Sequence, residues 1–201
     1  MKPINYYVEQ EWRNTTNAIV KYKPFFYNEK GIYTKREWIS RYDIGLKFDN
    51  QVFTIEEYMV MEQKYVDAVL KIMELENCKY MTIAHIGDSL SSSKNSMKEM
   101  LTGQFSEYDK NLCDFFISIN EGQRLGVEQV AKLVRLNLRE LTYTDISNES
   151  HHLEFHFGYD YYMYCNSKLS VDVLKSEVEK LDLYLNPMYK EERVNSTFKC
   201  N

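Results

Sequence analysis

Residues 54–76 read TIEEYMVMEQKYVDAVLKIMELE and form the most regular segment of this 201-residue chain. Thr54 is suited to cap a helix, and Glu57, three residues later, completes a capping box. The apolar side chains recur at helical spacing: Ile55, Tyr58, Met59, Val66, Val69, Leu70 and Met73. The segment therefore predicts an amphipathic helix over residues 54–76, with its apolar stripe facing a core.

A second helix is predicted over residues 126–141, because its valines and leucines fall on one stripe. A shorter helix is predicted over residues 171–181. Runs of β-branched and aromatic residues predict strands elsewhere. These are a strand pair at 17–27 and 31–38, a hairpin at 46–53 turning at Asp49 and Asn50, and strands at 78–86, 112–119, 152–158, 159–165 and 182–186.

The interspersed helices and strands predict one α+β domain over residues 1–190. Its mixed or antiparallel sheet should pack against the two main helices on one side. No internal repeat or Gly/Ser/Pro linker divides the chain. Residues 87–96 predict a mobile polar loop, and residues 191–201 a frayed tail.

The composition indicates a chain that folds in a reducing compartment. Hydrophobic residues make up 44% and aromatic residues 14%, enough apolar surface to offset the entropy of folding. The N-terminus lacks the apolar core of a signal peptide, and no run is long enough to cross a bilayer. The cysteines form no CxxC pair, so we expect free thiols and a cytoplasmic location: Cys78, Cys113, Cys165 and Cys200.

The charge is unevenly distributed along the chain. The net charge of the whole chain is −5. Residues 43–76 contain eight carboxylates and three lysines, so this segment alone also has a net charge of −5. A nucleic-acid-binding protein needs a basic face, so direct nucleic-acid binding is not expected. An acidic segment suits a basic protein partner.

The common catalytic signatures are absent from the sequence. The seven glycines form neither GxGxxG nor GxxxxGK[ST], and there is no GxSxG or HExxH. Cys113, next to Asp114, alternates with Phe115 and Ile117, so we interpret it as a small core residue and not a nucleophile. We therefore expect no enzyme, no catalytic residue and no cofactor.

One pattern could bind a metal ion. On a strand, His152, Glu154 and His156 would share a face, and two imidazoles with a carboxylate can ligate zinc or iron. Ordinary alternation of a polar strand face produces the same pattern. We expect no metal, and we retain a metal-dependent enzyme as the alternative function.

Two further features have both a structural and a functional interpretation. Glu62 lies inside the apolar stripe of the first helix, where it would either pair with a cation such as Lys47 or Arg135 or contact a partner. The tyrosine-rich run 158–165 is either a central strand or a binding platform, because tyrosine is enriched at interfaces. Such a platform could also join copies of this chain.

Several short motifs resemble those of immunity proteins from bacterial contact-dependent growth inhibition systems. They are the run 40–45 (SRYDIG), Phe48-Asp49, Phe53-Thr54, Glu57-Tyr58, Glu62 with Lys64-Tyr65, and the run 156–164 (HFGYDYYMY). The resemblance implies a cytoplasmic protein that binds and blocks a toxin domain delivered by a neighbouring cell. Such toxins are often nucleases, including tRNA nucleases. The resemblance implies no catalytic residues.

These observations predict a protein that binds a basic toxin domain by occluding its active site or substrate surface. We expect a monomer or weak dimer that contacts neither nucleic acid nor membrane. The predicted contact residues are carboxylates of the acidic segment and tyrosines that would act as aromatic anchors. They are Asp43, Asp49, Glu56, Glu57, Tyr58, Glu62, Tyr65, Asp67, Tyr159 and Tyr161.

Overall fold

The computed structural model describes residues 17–87 and 109–186, and these contain four α-helices and nine strands. The helices are α1 (Ile55–Leu75), α2 (Asp109–Ser118), α3 (Val127–Leu138) and α4 (Val171–Glu179). The strands are β1 (Asn17–Val20), β2 (Lys47–Phe48), β3 (Gln51–Val52), β4 (Tyr80–Ile86), β5 (Arg124–Gly126), β6 (Thr144–Asn148), β7 (Leu153–Phe157), β8 (Met163–Asn166) and β9 (Tyr184–Leu185).

Seven strands form one sheet in the order β5-β4-β6-β7-β8-β1-β9, and every neighbouring pair is antiparallel. The remaining two strands, β2 and β3, pair with each other in a separate hairpin. The predicted α+β fold class is therefore confirmed, with an antiparallel sheet. The predicted tail, residues 191–201, and all but Gly87 of the predicted loop 87–96 lie outside the described residues.

The two faces of the sheet differ in polarity. Along β7, Leu153, Phe155 and Phe157 are buried, whereas Glu154 and His156 between them are half-exposed. The buried side chains belong to the same core as the apolar stripes of α1 and α3. The helices therefore cover one face of the sheet, and the opposite face carries half-exposed polar side chains.

Helix α1 follows the prediction closely. Thr54 Oγ1 accepts a hydrogen bond from the Glu57 N–H at 3.2 Å, and a Glu57 carboxylate oxygen accepts one from the Thr54 N–H at 2.9 Å. At the other end, Asn77 adopts a left-handed backbone (φ 53°), and the Cys78 N–H donates to the Met73 carbonyl. These caps fix a helix of six turns against the sheet.

The strand predicted at 112–119 is wrong, because these residues lie in and just after α2. Leu112, Phe115 and Ile119 are buried, whereas Ile117 is 49% exposed. The burial follows a spacing of three and four residues, not two. A short apolar run fits both periods, so the sequence pattern alone could not separate a strand from a helix.

The strand pair predicted at residues 17–27 and 31–38 is correct only in part. The strand ends at Val20, and Pro24 begins a 3-10 turn, because proline has no N–H for a strand ladder. Only a single bridge joins Tyr27 to Tyr33. Strand β1 instead pairs with β8 and β9, which places it inside the main sheet.

The other predicted elements are present with shorter bounds. The hairpin turns at Asp49 and Asn50, whose φ angles of 48° and 66° fit a tight two-residue turn. The strand predicted at 159–165 begins only at Met163, because Asp160 and Tyr161 form a left-handed turn (φ 56° and 61°). No helix within residues 17–87 and 109–186 is long and apolar enough to cross a membrane.

Within the described residues, Cys78, Cys113 and Cys165 form no disulfide bond, and Cys200 lies outside those residues. Burial raises the pKa of the Cys165 thiol, which is fully enclosed in the core. Cys113 is half-buried on α2.

Candidate functional site

Three predicted contact residues on α1 are buried, and their assignment to a binding surface is wrong. Tyr58, Glu62 and Tyr65 are each 0% exposed. They lie three or four residues apart, so they face the sheet together. The Tyr58 hydroxyl donates to the Leu138 carbonyl at 3.2 Å, and the Tyr65 hydroxyl donates to the Tyr161 carbonyl at 2.5 Å. Both rings hold the core together.

Glu62 joins α1 to α3 through two arginines. Arg139 Nε and Nη2 donate to the two carboxylate oxygens at 2.6 and 2.9 Å, and Arg139 is itself 0% exposed. Arg135 Nη1 donates to Glu62 Oε1 at 2.7 Å, and its Nη2 donates to Gln63 at 2.5 Å. The predicted pairing of Glu62 with Arg135 is confirmed. The alternative prediction, that Glu62 contacts a partner protein, is wrong because the side chain is buried.

Tyr161, another predicted contact residue, is only 4% exposed. Its assignment to a binding surface is also wrong, because it is a core residue. Its ring centroid lies 5.1 Å from that of Trp38, 5.4 Å from that of Tyr65 and 6.2 Å from that of Tyr58. This aromatic cluster holds Tyr161 in a left-handed backbone that bulky residues rarely adopt.

The remaining predicted contact residues lie at the surface, but three of them also have local roles. Asp43 accepts hydrogen bonds from the Ile39 and Ser40 N–H groups at 2.8 and 3.1 Å, and Glu57 caps α1. Asp67 is half-buried and accepts a hydrogen bond from the Gln63 amide.

Asp49, Glu56 and Tyr159 are exposed without a capping role. Asp49 lies at the tip of the β2–β3 hairpin, 4.0 Å from Lys35 Nζ, and Glu56 lies in the first turn of α1. Tyr159 is 68% exposed, and its ring centroid lies 5.2 Å from that of Tyr143. Of the ten predicted residues, these three are the most available to a partner.

A group of exposed apolar side chains, which the sequence did not predict, lies in the same stretch of the chain as Asp49 and Glu56. Five large apolar side chains between residues 39 and 60 are 43–60% exposed: Ile39, Tyr42, Leu46, Val52 and Val60. We call these five, with Asp49 and Glu56, the 39–60 surface. Their exposure depends on tertiary contacts, so a propensity pattern gives no signal for it.

The base of the 39–60 surface is held by ring stacking and by backbone hydrogen bonds. Phe53 is 3% exposed, and its ring stacks on Trp38 with centroids 4.2 Å apart. The Phe53 N–H donates to the Leu46 carbonyl, and the Gly45 N–H donates to the Phe53 carbonyl, at 2.9 and 2.8 Å. An exposed apolar surface on a fixed backbone costs little entropy to present to a partner.

The alternative metal site does not form as predicted. His152 lies in the turn before β7 with φ 52°, so it does not share the strand face of Glu154 and His156. His156 Nδ1 lies 2.5 Å from Asp145 Oδ1 on the neighbouring strand. Within the described part of the chain, no three His, Cys, Asp or Glu side chains are arranged to hold a metal ion.

Lys21 is an unusual buried cation at the end of β1. Its side chain is 2% exposed, and its Nζ lies 4.2 Å from the Trp38 ring centroid, 4.5 Å from the Tyr22 centroid and 3.6 Å from a Glu37 carboxylate oxygen. Burial lowers the pKa of Lys21 to about 8, although Glu37 opposes the shift.

This pKa predicts a specific pH dependence of stability. Because the folded pKa of about 8 lies below the unfolded value of 10.5, the unfolded chain binds more protons between these two pH values. The free energy of unfolding should therefore rise with pH in that window. Between pH 8 and pH 10, the free energy of unfolding of the wild type should rise by about 2 kcal/mol more than that of Lys21→Met. Urea unfolding of both proteins across this range measures the difference; parallel pH profiles would contradict the prediction.

Comparisons with protein-family models, with curated proteins and with solved structures found no match for this chain.

Proposed function

We propose that this protein is a cytoplasmic immunity protein that binds and blocks a basic toxin domain, of the nuclease type that the sequence resemblance implies. The observation that carries the proposal is the 39–60 surface, which combines five exposed apolar side chains with two exposed carboxylates in one stretch of the chain. Protein interaction sites combine exposed apolar side chains with polar groups.

The charges support a basic partner, although fewer carboxylates contribute than the sequence suggested. Glu62 is buried and forms ion pairs with two arginines. Glu74 pairs with Lys71 at 2.9 Å, and Glu76 accepts hydrogen bonds from two backbone N–H groups. Of the remaining carboxylates of this segment, Asp49 lies at the tip of the β2–β3 hairpin, where Lys35 Nζ is 4.0 Å away, and Glu56 and Glu57 lie in the first turn of α1. A basic nuclease cleft would be steered toward these carboxylates.

Reversing the charges of Asp49 and Glu56 should slow association with the toxin domain. The partner to test is the toxin domain of a large secreted protein, where one is encoded immediately upstream of this chain. We expect Asp49→Lys/Glu56→Lys to lower the association rate constant by about tenfold at low salt, and to flatten its salt dependence. Stopped-flow measurements at several salt concentrations give both quantities.

The double variant leaves Asp43 and Glu57 intact, because these residues cap local structure and their loss would confuse folding with binding. The matched control is Glu149→Lys/Glu179→Lys, which changes the net charge equally at exposed positions outside the 39–60 surface. If both variants slow association equally, total charge and not this surface controls the encounter.

A further inference from the structure

Residues 23–36, which follow β1, fold back on themselves in a loop held by backbone contacts. A single bridge joins Tyr27 to Tyr33 across the loop. The N–H and the hydroxyl of Thr34 both donate to the Phe26 carbonyl, at 2.9 and 2.7 Å. We call this segment the 23–36 loop.

The tip of the loop is a tight turn. The Asn28 N–H donates to the Ile32 carbonyl at 3.0 Å, and the Gly31 N–H donates to the Asn28 carbonyl at 2.9 Å. Asn28 Oδ1 accepts two further hydrogen bonds at 3.0 Å, from the N–H groups of Lys30 and Ile32. Gly31 has φ 73°, a left-handed backbone that glycine adopts without strain. These bonds fix the position of the side chains that the loop presents.

The loop exposes large apolar side chains to solvent. Phe25 is 89% exposed, more than any other large apolar side chain of the described residues, and Ile32 is 58% exposed. The Phe25 ring centroid lies 5.4 Å from that of Phe26, and the Phe26 centroid lies 6.1 Å from that of Tyr33. Phe25 thus rests edge to face on an aromatic base, and most of its surface remains in water.

The same loop is basic, in a chain whose net charge is −5. It contains four cations and one carboxylate, Glu29, and all five side chains are exposed. Lys35 Nζ lies 5.4 Å from the Phe26 ring centroid, which places a cation directly beside the aromatic base. The four cations are Lys23, Lys30, Lys35 and Arg36.

Neighbouring carboxylates offset only part of this charge. Lys23 Nζ lies 3.9 Å from Asp182, which is held more closely by Lys64 at 3.0 Å. Lys35 Nζ lies 4.0 Å from Asp49. Exposed pairs at these separations are weak. Lys30 and Arg36 form no ion pair with any other described residue, so the outer part of the loop stays positively charged.

We propose that the 23–36 loop binds the surface of an anionic lipid bilayer. Phe25 and Ile32 enter the boundary between headgroups and acyl chains, and the basic side chains contact the lipid phosphates. Apolar side chains surrounded by lysine and arginine bind anionic interfaces in this way, because both the hydrophobic and the electrostatic contributions favour the bilayer. The contact is peripheral and does not span the membrane.

The aromatic rings fit a bilayer better than a nucleic acid. Bases stack on open aromatic faces, but Tyr27 and Tyr33 are half-buried with their centroids 5.1 Å apart, and the aliphatic Ile32 offers no stacking face. The expectation of no membrane contact rested on the charge of the whole chain, whereas the loop has the opposite sign. The proposal goes beyond the proposed function and does not depend on it.

Vesicle sedimentation with the full chain tests the electrostatic part. The probes are vesicles of equal parts phosphatidylcholine and phosphatidylglycerol, and vesicles of phosphatidylcholine alone. We expect binding to the anionic vesicles only, weakening as salt rises. Lys30→Gln/Arg36→Gln should lower the partition coefficient by about thirtyfold. The matched control Lys168→Gln/Lys175→Gln removes the same charge at exposed positions elsewhere and should lower it by about twofold at most.

Substitutions of Phe25 test the apolar part. Phe25→Ala should lower the partition coefficient by about tenfold. Its thermal midpoint should equal that of the wild type, because the ring is 89% exposed. In Phe25→Trp, the added tryptophan emission should shift to the blue on anionic vesicles and be quenched by lipids brominated in their acyl chains. Val173→Trp, at an exposed position on α4, is the control and should show neither change.

The proposal is overturned if the chain fails to sediment with anionic vesicles, or sediments equally with neutral ones. It is also overturned if the two lysine-containing double variants lose binding equally, or if Phe25→Ala binds as the wild type does. Binding of a single-stranded oligonucleotide that Phe25→Ala abolishes, without vesicle binding, would assign the loop to nucleic acid instead. A failure to neutralise a toxin leaves the vesicle result unchanged, so the two proposals can fail separately.

Discussion

Glu62→Gln is expected to lower the free energy of unfolding by about 3–5 kcal/mol. A neutral amide at this position would remove the carboxylate that both guanidinium groups bind, and Arg139 is fully buried. Desolvated charges that lose their partner are among the most destabilising features a core can contain. The same substitution on a partner-binding surface would change stability by a few tenths of a kcal/mol.

Urea unfolding of Glu62→Gln measures this loss, and Glu74→Gln is its matched control. Glu74 also accepts from a lysine, Lys71, at 2.9 Å, but its side chain is 70% exposed. An exposed pair of this kind contributes about 0–1 kcal/mol. A loss below about 1 kcal/mol for Glu62→Gln would show that water reaches the two arginines, contrary to the buried network described.

Tyr161→Ala is expected to destabilise the fold by about 3–5 kcal/mol, as large-to-small changes of buried aromatic residues do. The ring contacts Trp38, Tyr58 and Tyr65, and alanine would leave a cavity among them. Alanine would not relieve the backbone strain either, because only glycine adopts φ 61° freely.

Tyr159 provides a close control for this prediction, because it lies two residues away in the same turn and is 68% exposed. Tyr159→Ala should change the free energy of unfolding by about 0.5 kcal/mol or less, while weakening partner binding. Equal losses of stability in the two variants would contradict the assignment of Tyr161 to the core and Tyr159 to the surface.

The sequence predicted the local features of the fold well, because they depend on neighbouring residues. The capping box at Thr54 and Glu57 and the hairpin turn at Asp49 and Asn50 are both confirmed. The strand prediction for residues 112–119 was wrong because a run of eight residues fits both the helical and the strand periodicity. Only tertiary contacts select the helix.

The candidate site was less predictable from the sequence. Helical spacing placed Glu62 on the apolar stripe and suggested Arg135 as its partner, but Arg139, which binds the carboxylate through two nitrogens, was not anticipated. The alternation of tyrosines in the 158–165 run could not show that a left-handed turn would direct Tyr161 inward and leave Tyr159 exposed.

The most direct test of the proposed function is growth rescue against the upstream-encoded toxin domain. The toxin domain is expressed alone in bacteria, or together with this chain, and purified samples are then compared in a nuclease assay that includes tRNA. We expect the toxin domain to arrest growth, and the chain to restore growth and abolish nuclease activity at equimolar concentration. If growth stays arrested while the folded chain is present in excess, and nuclease activity is unchanged, the protein is not the immunity protein of that toxin.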